Sequence, residues 1–93
     1  MDFIELDKKE LMEDFVKHLP KIRKRLGISQ SELGERVGLS RQSISSIERE
    51  NVQLSWNVFL AIILVVWIND PDFFMNTNAD ERYLQVIESL KTE

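Results

Sequence analysis

The chain has 93 residues, 43% apolar and 30% charged, with no Cys and a formal net charge of −4. That length holds one modest core, and that composition excludes a disordered or low-complexity chain. The missing Cys excludes disulfides, thiolate metal sites and thiol nucleophiles.

The opening MDFIELDKKE is acidic where a signal peptide is basic, and the longest apolar run, residues 58–68, has eleven residues. A bilayer span needs about 20, so a cytoplasmic protein with no membrane segment is expected. The charge is unevenly placed. Residues 1–16 carry a net −4, residues 17–49 a net +5 and residues 50–93 a net −5. A basic middle between acidic ends admits a polyanionic partner that the total charge hides.

Apolar residues recur at helical spacing and no stretch alternates with period two, so the chain reads as all-α and as a single domain over 1–93. Asp7 with Glu10 three residues on is a capping-box pattern. Behind it Leu11, Phe15, Leu19, Ile22 and Leu26 form one helical stripe that Gly27 closes. Pro20 removes a backbone donor inside that stripe, which predicts a kink there or a separate short helix before it. Ser29-Gln-Ser-Glu32 is a second capping box, opening a helix over about 29–37 with Leu33, Gly34 and Val37 inward. Gly38 suits a left-handed end, and Ser40 caps a helix over about 41–49 held by Ile44 and Ile47. Ser55 caps a fourth helix, 56–68. Asn69-Asp-Pro-Asp72 breaks the chain, and Tyr83, Leu84, Ile87 and Leu90 mark a last amphipathic helix over 79–91.

Two short capped helices joined by a Gly-containing turn make a helix-turn-helix. The second shows Arg41, Gln42 and Ser43 to solvent where most exposed helices carry Glu and Lys. Residues 22–62, IRKRLGISQSELGERVGLSRQSISSIERENVQLSWNVFLAI, resemble the lambda-repressor/Cro-like (XRE-like) helix-turn-helix family. The match rests on Arg23, Gln30, Leu33-Gly34, Val37-Gly38, Ser40 to Ile44 and Ile47-Glu48 occurring together in register. It implies a five-helix DNA-binding domain with a core over 20–68 and helical extensions at both ends.

The resemblance also implies roles on double-stranded DNA. The third helix enters the major groove amino end first, with Arg41 suited to guanine O6/N7, Gln42 to adenine N6/N7, and Ser46 to a base edge or a thymine methyl. Ser29, Gln30, Ser40, Ser43 and Arg49 are expected on phosphates, setting register. Arg23 and Glu48 match the family's structural ion pair between the first and third helices. There are departures. Gly34 stands where Ala is usual, at a helix-propensity cost of up to about 1 kcal/mol. Glu50 stands where Gly is frequent and puts a negative charge beside the expected phosphate path.

The fourth helix is apolar nearly all round. Trp56, Phe59, Leu60, Ile63 and Val66 or Trp67 form its expected inner side, while Val58, Ala61, Leu64, Val65 and Ile68 occupy the other. A helix apolar on every face needs cover on every face. The cover is either the terminal helix or Leu11, Met12 and Phe15 of the N-terminal extension, or a second subunit. Ala61, Leu64, Val65, Ile68, Leu84 and Ile87 are expected at a homodimer contact or under helix cover. No cofactor, metal site or catalytic set is expected: His18 has no Cys or second His beside it, and there is no Gly-rich phosphate loop. The expected function is a sequence-specific DNA-binding transcriptional regulator, a repressor that acts as a homodimer. Its alternatives are an antitoxin-like protein that holds a protein partner, or an interaction module of the same fold.

Overall fold

The computed structural model describes residues 7–75 and 81–90, which form five helices and one four-residue helical turn. In chain order these are α1 (Lys8–Leu26), α2 (Gln30–Val37), α3 (Arg41–Glu48), α4 (Trp56–Asn69), the short α5 (Asp72–Met75) and α6 (Glu81–Ser89). No strand occurs among the described residues. None of the described helices is long and apolar enough to cross a membrane.

Each of the first four helices begins where a side-chain oxygen accepts an orphan N–H. Asp7 Oδ1 accepts from Glu10 N–H at 3.0 Å, and Ser29, Ser40 and Ser55 accept from Glu32, Ser43 and Val58 at 3.0, 3.1 and 3.2 Å. At Ser29 the box is reciprocal, because Glu32 Oε1 accepts the Ser29 N–H at 3.1 Å.

α1 runs unbroken through Pro20, so the separate N-terminal helix that the proline allowed is absent. Leu11, Phe15, Leu19 and Ile22 are buried on both sides of it. Packing along that whole face holds the helix together against the roughly 3 kcal/mol that an interior proline costs. The N-terminal extension is therefore part of the core. Phe15 meets Phe59 of α4 edge-on, ring centres 5.2 Å apart, and meets Tyr83 of α6 at 5.8 Å.

The ends of α2 and α3 differ in an instructive way. Gly38 closes α2 at φ 79°, and the next residue, Leu39, donates its N–H back to the Gly34 carbonyl at 2.8 Å. α3 ends with Glu50 N–H on Ile47 O and Asn51 N–H on Ser46 O, both at 2.9 Å. That is a Schellman closure whose left-handed position is filled by Glu50 at φ 60°. Glycine suits this position because a β-carbon in this conformation costs about 1 kcal/mol.

Gly34 has a packing role beside the helix-propensity cost expected of it. A β-carbon at this position would run into the carbonyl oxygen of Leu39. The absent side chain lets the α2–α3 turn fold back onto α2, so the propensity cost comes with a close backbone approach.

The core joins α1, α2, α3, α4 and α6, with Phe15, Leu33, Ile44, Phe59, Ile62 and Val86 almost fully buried. α4 buries Phe59, Ile62, Ile63 and Val66, so its inner face includes Ile62, while Trp56, Leu60 and Trp67 are only half-buried. α5 was not foreseen; its Phe73 ring lies 6.5 Å from Tyr83. α6 spans Glu81–Ser89 where a helix over 79–91 was expected, and residues 79, 80 and 91 lie outside the described residues. Arg82 Nη2 ties α6 to α1 through Asp14 Oδ2 at 2.9 Å.

Candidate nucleic-acid interface

α3 is an eight-residue helix with a narrow anchored side. Ile44 is 0% and Ile47 5% exposed, while Arg41, Gln42 and Arg49 are exposed and Ser43, Ser45 and Ser46 half-buried. Two apolar anchors per two turns leave the remaining faces of the helix for other contacts.

A partly buried polar clamp fixes the carboxyl end of α3. Arg23 Nε donates to Glu48 Oε2 at 2.6 Å and its Nη2 donates to Oε1 at 2.9 Å, a bidentate pair with side chains 15% and 6% exposed. Gln30 Nε2 also donates to Glu48 Oε1 at 2.9 Å, and Arg23 Nη1 reaches the Ile28 carbonyl at 3.3 Å. The hydrogen bond to Glu48 outweighs partial burial and raises the Arg23 pKa above its ordinary value. One carboxylate thus joins the end of α1, the first residue of α2 and the last residue of α3. Planar fork-to-fork geometry sets the angle between helices as well as their distance.

The remaining expected site residues fall into four groups. Ser29 and Ser40 use their hydroxyls as caps. Ser40 Oγ accepts the Ser43 N–H and donates to Ser43 Oγ at 3.0 Å, which leaves the Ser43 hydroxyl hydrogen directed elsewhere. Gln42, Ser43 and Ser46 line one shallow concavity together with Val52, Gln53 and Ser55 from the α3–α4 connection. Arg41 and Arg49 are exposed and stand outside that lining. Gln30, expected to face phosphate, has one amide hydrogen on Glu48 and a second hydrogen on the same nitrogen.

At the start of α2 the Glu32 carboxyl is held below its ordinary pKa. The Ser29 backbone N–H contributes most, followed by the Ser29 side chain, with Arg36 adding attraction. Away from α3, His18 Nδ1 lies 2.9 Å from the Asp14 carbonyl one turn back. No group of three His, Cys, Asp or Glu among the described residues could hold a metal ion.

Of the residues expected at a dimer contact or under helix cover, Leu84 and Ile87 of α6 and Val65 of α4 are half-buried against the core, and Ala61 is half-buried. Leu64 and Ile68 remain 55% and 68% exposed.

Val52 and Gln53 were not foreseen in the concavity. The available signal was a single apolar residue in the polar connection Glu-Asn-Val-Gln.

Residues 21–55 match a protein-family model described as Helix-turn-helix. No curated protein matches the chain. No solved structure matches it.

Proposed function

We propose that the chain is a sequence-specific transcriptional regulator that docks α3 in the major groove, a reading supported by the helix-turn-helix match over residues 21–55. The exposure of Arg41 and Gln42 on a helix clamped at its other end by Glu48 carries this reading. In the docked complex the Arg41 fork takes guanine O6/N7 and the Gln42 amide takes adenine N6/N7, each bidentate pair being worth about 1–3 kcal/mol of discrimination. Ser46 faces a base edge one turn further on.

Phosphates fall to Ser29, Gln30, Ser40, Ser43 and Arg49. Gln30 uses its second amide hydrogen while the first keeps it oriented on Glu48. Ser43 donates through its hydroxyl, and the capped helix starts at Ser29 and Ser40 offer backbone N–H groups. The basic segment 17–49, at net +5, supplies the positive charge that a polyanion requires.

Binding as a homodimer places two such helices one DNA turn, about 34–36 Å, apart. The exposed Leu64 and Ile68, with Ala61 and Val65 beside them, supply an apolar contact for that dimer, and α6 with Leu84 and Ile87 borders it. The same exposed residues also favour a second reading, in which a different protein partner covers α4, as in an antitoxin-like use of the fold. A regulator of this kind works in the cytoplasm beside the DNA, and repression by occupying an operator is its simplest mode.

Selection from random-sequence duplexes at two salt concentrations tests the proposal. A regulator recovers a defined site, with affinity falling steeply as salt rises. Recovery of no site, or of sites without common sequence, removes it.

A further inference from the structure

The concavity beside α3 is lined by polar Gln42, Ser43, Ser46, Gln53 and Ser55 and by apolar Leu39, Ile47, Val58 and Val52, of which Val52 is the exposed one, at 51%. An exposed valine alone needs no explanation. This one shares a surface with the expected base readers, outside the hydrophobic core and off the α4 stripe. In the major groove the C5-methyl of thymine is the apolar group that distinguishes an A·T pair. We propose that Val52 is a specificity-determining residue that packs on a thymine methyl beside the bases read by Gln42 and Ser46. The inference rests on the groove-docking reading above and deepens it.

The position has physical support. The Schellman closure at Glu50 and Asn51 fixes where the chain leaves α3, through Asn51 N–H on Ser46 O at 2.9 Å. Leu54, 4% exposed, anchors the far side of the connection two residues later. Val52 is thereby held on a short tether between two fixed points. Its branched side chain has one stiff torsion, so little side-chain freedom is lost on contact. Gln53 beside it supplies an amide for a neighbouring base edge or phosphate.

The test uses the full chain and the duplex recovered by selection. Each thymine is replaced in turn by deoxyuridine, which removes only the methyl group, and affinity is read by fluorescence anisotropy for wild type and Val52→Ala. Val52 lies outside the core, so the variant is expected to melt with the wild type. At one thymine per half-site the wild type should bind the uracil duplex about fourfold more weakly, the worth of one buried methyl. Val52→Ala should bind the thymine and uracil duplexes alike. A wild type indifferent to uracil at every thymine overturns the assignment, as does a Val52→Ala protein that keeps the full penalty. Those results leave the regulator reading intact, whereas failure to select any duplex removes both.

Discussion

Gly34 of α2 and Leu39 of the turn meet backbone to backbone, with the Leu39 carbonyl oxygen in the space a Gly34 β-carbon would fill. Leu39 N–H closes the same contact on the Gly34 carbonyl at 2.8 Å. The spacing of α2 and α3 is set by this approach, so Gly34→Ala must push the turn outward. Alanine gains about 1 kcal/mol of helix propensity but incurs a steric cost of about 1–3 kcal/mol. The variant is expected to be less stable in thermal or denaturant unfolding, although propensity alone predicts the opposite sign.

Glu50 offers the converse case. It is held at φ 60° at the end of α3, so Glu50→Gly should stabilise by about 1 kcal/mol, a rise in Tm of about 5 °C for a domain of this size. Glu50→Gln keeps the strained backbone and removes only the charge. It should leave Tm nearly unchanged and strengthen DNA binding, which separates the two effects of one residue.

How much of this was legible in the sequence follows from how local each signal is. Ser29, Gly38 and Ser40 act on residues within one turn of themselves, and the bounds of α2 and α3 agree with their positions to within a residue. The Arg23–Glu48 pair was legible through resemblance. Pro20 misled in part because its local cost is opposed by packing from distant Phe59 and Tyr83. The Gly34 contact and the exposure of Val52 depend on how the turn and the α3–α4 connection return across the surface, which no spacing in the chain encodes.

Glu48 holds three elements together with its side chain only 6% exposed. Glu48→Ala leaves Nε and Nη2 of Arg23 and the Gln30 amide without their Glu48 acceptor, at an expected cost of about 3 kcal/mol. Pairing it with Arg23→Met should recover part of that loss, because no unpaired charge then remains. Urea denaturation of the single and double variants measures the coupling; strict additivity would show that the pair contributes nothing as a unit.

Leu64 and Ile68 are the most exposed large apolar residues of α4. The Leu64→Glu/Ile68→Glu double variant should therefore stay folded and sediment as a monomer, while the wild type sediments as a dimer at micromolar concentration. A wild type that remains monomeric at high micromolar concentration removes the homodimer.

The measurement closest to the chemistry is the affinity of Arg41→Ala and Gln42→Ala for the selected duplex and for its single-base variants. Base reading from α3 predicts that each variant loses discrimination at its own base position, by about 1–3 kcal/mol, while both remain folded and keep salt-dependent binding to unrelated DNA. If both variants discriminate every position as the wild type does, α3 is not the reading element.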